Sequence, residues 1–331
     1  MSMIEKFIES AQARDLSVVL PEGGDQRIVL AARRLKDEGI ASPIVLGKID
    51  EIESAAAEAG ISLDGIQLIN PAESDKLESY AEAYVEGREM SVNVARRMVK
   101  RPLYYAGMMV RLGDVDTMVA GAASATSLVI QAGVLAVGLA EGIATPSSFF
   151  LMIIPEFQGE KDKPFIYADC AVNIAPNPNQ LADIAIASEA SAASLLPEAP
   201  RVAMLSFSTK GSASHPNIDL VTEALAIAKE KAPGIKIDGE FQADSALVPA
   251  VAAKKIKEPS EVAGQANTLI FPDLNSGNIA YKLTQYMAGA KAIGPFLQGF
   301  AKPISDLSRG ASVDDIVATT AICLAQVEGE N

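Results

Sequence analysis

Histidine, cysteine and positive charge are all scarce in this chain of 331 residues. A single histidine, His215, excludes any mechanism that needs two imidazoles and leaves no His-x-x-x-His pair for a zinc site. Two cysteines, Cys170 and Cys323, are too few for a disulfide scaffold and form no Cys-x-x-Cys metal or redox pair. With 28 basic against 42 acidic side chains, the net charge of −14 leaves no clustered positive surface for nucleic acid or an anionic membrane. The chain opens without a basic segment followed by an apolar export stretch, so a reducing cytoplasm is the expected compartment.

What is present is a globular composition, 49% hydrophobic and 21% charged. The length exceeds what one compact core usually supports, so two α/β-sized domains are expected. Residues 118–140 carry no charge and are long enough to cross a bilayer. Gly121, Ser124, Thr126, Ser127, Gln131, Gly133 and Gly138 instead make the segment read as a buried strand and glycine turn, followed by a helix. There is no internal repeat, low-complexity segment or coiled-coil heptad.

Apolar runs at 17–20, 43–46 and 115–120 alternate with helical spacing at 28–35, 50–58 and 91–100, the pattern of a parallel sheet. It breaks at Thr145-Pro146, the expected domain boundary, after which 149–154 opens a new strand ended by Pro155. Asn179 is expected to cap an Ala-rich helix over 180–196. Further strands are expected at 201–207, 235–237 and 268–271, and a last helix over 313–327.

Two segments carry candidate chemistry. Small residues 121–126, between a strand and a helix, suit either backbone N–H groups held against phosphate or close helix–sheet packing. The segment has neither the Gly-Lys-Ser/Thr ending of a Walker A loop nor three glycines at dinucleotide spacing. In 306–315, Arg309 offers a planar fork of donors to an anion, Ser308 a hydroxyl and Asp315 a carboxylate. Ser312-x-x-Asp315 also has capping-box spacing, so Asp315 fits a structural role equally well. His215, before Pro216 in a polar loop, is given no catalytic role.

The chain resembles the phosphate acetyltransferases (phosphotransacetylases), closest to the ethanolamine-utilisation type, over nearly its whole length. The resemblance rests on the blocks 202–213, Asp238-Gly239-Glu240 with Gln242, 271–275, 277–282, Gly294-Pro295, Gln298-Gly299 and 306–310. It implies two three-layer α/β domains with a cleft between them, similar to the isocitrate and isopropylmalate dehydrogenase fold, one formed by 1–145 with 299–331 and the other by 146–298. It also implies an acyltransferase that interconverts acetyl-CoA, or another short acyl-CoA, plus phosphate with acyl phosphate plus CoA. Coenzyme A is then a substrate, no metal or permanent cofactor is needed, and a homodimer is expected in the cytoplasm or a bacterial microcompartment.

By matching position the resemblance makes Asp315 the general base for the CoA thiol, Ser308 the hydroxyl donor near the reacting centre and Arg309 the substrate-binding arginine. It places Ser124, Ala125, Thr126, Gln131, Arg88 and Asn278 among the substrate-binding positions. The chain departs from the family pattern where Ala125, Thr126 and Gln131 stand, because a family arginine is replaced by Gln131. A second reading, prompted by Ala125 and Gln131, is a non-catalytic acyl-CoA-binding or sensing protein on the same fold. A third is a decarboxylating dehydrogenase on the related fold.

Overall fold

The computed structural model describes residues 3–327. They fall into two compact units, one running to Ala140 and resuming at Phe300, the other Glu141–Gly299. The first passage lies just ahead of the Thr145-Pro146 break.

The first unit begins with α1 (Met3–Gln12), β1 (Ser17–Leu20), α2 (Gln26–Asp37), β2 (Ser42–Leu46), α3 (Ile49–Ala59) and β3 (Gln67–Ile69). It continues with α4 (Leu77–Val85), α5 (Val92–Val99), α6 (Pro102–Leu112), β4 (Thr117–Ala120) and α7 (Thr126–Ala132), which runs into a π-helical turn, Gly133–Val137. The second unit holds β5 (Ser147–Phe157), β6 (Glu160–Ala168), α8 (Pro178–Leu195), β7 (Val202–Leu205) and α9 (Pro216–Lys231). After these come β8 (Ile237–Phe241), α10 (Ala243–Leu247), α11 (Pro249–Lys255), β9 (Thr268–Ile270), α12 (Leu274–Met287) and β10 (Lys291–Gln298). The chain then re-enters the first unit through β11 (Ile304–Asp306) and α13 (Val313–Ala325).

The sheet of the first unit has the order β3-β2-β1-β4-β11, and its strand pairs are parallel. β1 and β4 read as unbroken apolar runs because helices cover both faces of such a sheet. α13 and α6 each pack on β4, but α13 groups with α1 and α2 while α6 groups with α4, α5 and α7. From β1 the chain builds outward through β2 to β3, then returns to the other side of β1 with β4. The strand order therefore reverses between β1 and β4, and the crevice beyond the carboxyl ends of strands at such a point is the usual ligand position in open α/β sheets. Loops 21–25, 121–125 and 307–312 all leave that edge. The uncharged stretch 118–140 is divided among β4, a loop, α7 and the π-helical turn, and no helix among the described residues is long and apolar enough to cross a membrane.

In the second unit the order is β10-β5-β6-β9-β7-β8, with a long antiparallel β5–β6 hairpin, β10 antiparallel to β5, and the remaining pairs parallel. One face buries Phe150, Met152, Phe165, Tyr167, Leu205 and Phe241. β5 does not stop at Pro155 as expected. It runs past the last residue that β10 pairs with it, Ile153, so the missing proline N–H costs no ladder bond on that side. The cap of α8 also differs, being Asn177 rather than Asn179. With Pro178 in the first turn, the Asn177 side chain accepts from Gln180 N at 3.0 Å and the Gln180 side chain accepts from Asn177 N at 2.9 Å.

Candidate active site

β4 and β11 pair in parallel, with Met118 opposite Ile304 and Ala120 opposite Asp306. This register brings the loops that follow them, 121–125 and 307–312, side by side. Gly121 lies at the contact with φ +109°, and a Cβ there would come within 2.6 Å of Leu307 N and would also strike the Asp306 carboxylate. The small residues thus serve close packing of the two loops.

The backbone N–H groups of the small-residue loop are not open to a phosphate. Glu22, in the β1–α2 loop, fills their cradle with its carboxylate. Oε2 accepts from Gly121 N at 2.9 Å and Ala122 N at 2.8 Å, and Oε1 from Ala123 N at 3.1 Å and Ser124 N at 2.6 Å. Of the two uses considered for 121–126, packing is the one the structure displays, and the anion among these N–H groups is a side chain of the protein.

Arg27 clasps the three loops together. It is fixed by Asp25, with Nη2 donating at 2.6 Å, and the same Nη2 donates to Ala122 O at 2.8 Å. Nη1 donates to Arg309 O at 2.7 Å and Ala311 O at 2.9 Å. The contact holds the Asp25 carboxyl below its usual range. A lysine has no planar fork with which to make these contacts together. Nothing local in the sequence signals Glu22 or the clasp made by Arg27, because, Asp25 apart, their partners lie in loops distant along the chain.

On the Arg27-tethered loop, Ser308 and Arg309 are exposed, and the Arg309 guanidinium has no hydrogen-bond or ion-pair partner among the described residues. The Ser308 hydroxyl accepts from Gly310 N at 3.3 Å and keeps its own proton to donate. Asp315 does cap α13. Its Oδ2 accepts from Ser312 N at 2.9 Å and from the Ser312 hydroxyl at 2.8 Å, while Asp315 N donates to Ser312 Oγ at 3.2 Å. The other oxygen, Oδ1, has no hydrogen-bond partner among the described residues, so one carboxylate can both cap the helix and accept a proton.

The remaining predicted positions divide. Ser124, half-buried, and Gln131, exposed, line one cavity of about 200 Å³. Ala125 occupies the cap position of α7 and has no side-chain oxygen to cap it. The Thr126 hydroxyl donates to Asp306 Oδ2 at 2.5 Å, so its proton is committed inside the protein. Arg88 donates to Tyr84 O and Leu135 O, both at 2.6 Å, and lies 4.2 Å from the Tyr84 ring centroid, which makes it a strut between α4 and the π-helical turn. Asn278 belongs to the second unit, where its amide donates to Cys170 O at 3.1 Å. His215 caps α9, its Nδ1 accepting from Asn217 N at 3.2 Å.

A family model described as Phosphate acetyl/butaryl transferase matches residues 2–324. The chain belongs to that family. It is an acyltransferase on the α/β fold that the resemblance implied. A curated relative, phosphate acetyltransferase from Acetivibrio thermocellus, is 44% identical over 99% of this chain and 99% of its own length. Among solved structures, the EutD phosphotransacetylase from Staphylococcus aureus is similar with a TM-score of 0.89, at 36% identity over 98% of both chains. 4-Hydroxythreonine-4-phosphate dehydrogenase from Klebsiella pneumoniae, at 12% identity and a TM-score of 0.54 over 95% of this chain and 98% of its own, shows a shared fold alone. At this sheet edge the guanidinium of Arg309 has no counter-charge, the Ser308 hydroxyl no protein acceptor and Oδ1 of Asp315 no protein donor among the described residues.

Proposed function

We propose that the chain interconverts acetyl-CoA, or another short acyl-CoA, plus phosphate with acyl phosphate plus CoA, and that the loop 308–315 carries the chemistry. The observation that supports this most is the uncommitted Oδ1 of Asp315, in the helix turn that follows a loop clasped by Arg27 and carrying an unpaired Arg309. A free thiol of pKa about 8.5 is only a few per cent thiolate at neutral pH, and forming the thiolate costs roughly 2 kcal/mol at pH 7. Asp315 Oδ1 takes the thiol proton as the carbon–sulfur bond forms. Full transfer beforehand is disfavoured, because a carboxylate is much the weaker base. As sulfur adds to the acyl carbonyl, negative charge builds on its oxygen, where the Ser308 hydroxyl donates. Phosphate leaves as the carbonyl re-forms, with Arg309 offering paired N–H donors to the anion.

Coenzyme A is a substrate in this reading, and no permanent cofactor or metal enters any step. A homodimer is supported by one face of α12, where Ile279, Leu283, Tyr286 and Met287 are exposed at helical spacing. The unpaired, buried thiols of Cys170 and Cys323 suit a reducing compartment, the cytoplasm or a microcompartment within it.

The test is CoA-dependent formation of acyl-CoA from acetyl, propionyl and butyryl phosphate in the presence of a chelator, alongside Asp315→Ala. Turnover that survives chelation and falls by about 100-fold or more in the variant, the usual range for a general base, is expected, and the ranking of the three substrates defines the acyl preference. A wild type that binds CoA yet transfers nothing at high protein concentration would leave a binding protein instead.

A further inference from the structure

The cavity shared by Ser124 and Gln131 has an unusual electrostatic character for so acidic a chain. It is lined by Pro21, Arg101, Pro102, Leu103, Tyr104, Ser124, Leu128 and Gln131, without a single carboxylate. The neighbouring cavity, which also touches Pro21 and Pro102, presents Glu22, Asp25 and Glu51. Arg101 is the cation of the first cavity. It occupies the cap position of α6 and makes no side-chain capping bond. Its N–H donates to Met98 O at 3.0 Å and its carbonyl accepts from Tyr105 N at 3.0 Å, so a fixed backbone presents a guanidinium with no partner among the described residues.

We propose that Arg101 is a phosphate ligand, and that this cavity takes the phosphoryl group of phosphate and acyl phosphate. The inference rests on the acyl-transfer reading above and names a residue that reading does not use. Since Glu22 already fills the N–H cradle of 121–124, an anion at this edge has to find other donors. Arg101 supplies the full charge, the Ser124 hydroxyl and Gln131 amide supply neutral donors, and Leu103 and Leu128 offer apolar wall to a short acyl group. A volume of about 200 Å³ suits a tetrahedral oxyanion with a short acyl chain. It falls below the roughly 300 Å³ at which sites for larger organic ligands begin, which favours the phosphoryl end over the nucleotide end of CoA as its occupant.

The experiment is calorimetric titration of inorganic phosphate into wild type, Arg101→Gln, the double variant Arg101→Gln/Gln131→Arg, and Arg97→Gln. Arg97 is an exposed arginine on α5 outside the cavity and controls for net charge. The phosphate Kd is expected to weaken about tenfold or more in Arg101→Gln, to recover in the double variant, and to stay unchanged in Arg97→Gln. Where turnover is measurable, KM for acyl phosphate should rise with it while KM for CoA holds. An unchanged Kd, an equal loss in Arg97→Gln, a rise confined to the KM for CoA, or a wild type that binds no phosphate would each overturn the assignment. Absence of turnover alone would sink the acyl-transfer reading and leave the phosphate titration to decide Arg101.

Discussion

Asp306 is a residue at this sheet edge whose negative charge works against stability. It is 3% exposed, Thr126 satisfies Oδ2, and Oδ1 is buried without a hydrogen-bond partner. Burial, reinforced by the nearby Glu22 carboxylate, pushes its pKa up to about 6, against the Thr126 hydrogen bond and the adjacent Leu307 backbone N–H dipole, which favour the charge. The folded chain therefore binds this proton more tightly than the unfolded chain does. Its contribution to stability is full below the unfolded value near 3.8 and is lost as pH rises through about 6. Asp306→Asn cannot ionise and keeps an oxygen for the Thr126 hydroxyl. At pH 8 it should melt above wild type, by an amount on the order of 2 kcal/mol, and the advantage should vanish towards pH 4. A difference in Tm that does not change with pH would show that the burial of charge at Asp306 is not what costs stability.

At the scale of elements, the start of α13 joins a structural and a chemical duty in one side chain, and two substitutions separate them. Ser312→Ala removes the hydroxyl that caps Asp315 N but leaves the carboxylate, so it should lower stability by about 1 kcal/mol and retain most activity. Asp315→Asn keeps an acceptor for the Ser312 N–H but cannot take a proton, so it should melt near wild type and lose activity by about 100-fold. Thermal melts and initial rates on both variants check the pair, and a rate that tracks the melting temperature in each would reduce Asp315 to a cap. The same elements show what local sequence can convey. The capping box at 312–315, the buried strands at 17–20 and 117–120, and the glycine turn after β4 are set by near neighbours, and all are legible. β6, β10 and β11 carry no comparable local signal, because their pairing is decided by strands far off in the chain. The Arg27 clasp and the Glu22 carboxylate escape for the same reason, and Arg101 looks like any surface arginine until the cavity beside it is seen.

At the scale of the molecule, charge and apolar surface act in opposite directions. A net charge of −14 favours solubility and mutual repulsion between copies. Yet α12 exposes Tyr286 by 81% and Met287 by 82%, with Ile279 and Leu283 on the preceding turns. These four residues sit at positions i, i+4, i+7 and i+8 of one helix, so they form a stripe rather than scattered surface residues. Within Leu274–Met287 the single charged side chain is Lys282, and the stripe itself carries no charge. Burying such a stripe against its own copy removes large side chains from water, each contributing roughly 1.5–3 kcal/mol when fully buried. On the proposed homodimer, a Tyr286→Glu/Met287→Glu double variant places two charges in that face and should shift the mass measured by light scattering from dimer to monomer. Its secondary structure should be retained, because neither side chain contributes to the core. A dimer that persists at low micromolar concentration would place the contact between subunits on another face, leaving the α12 stripe without that role.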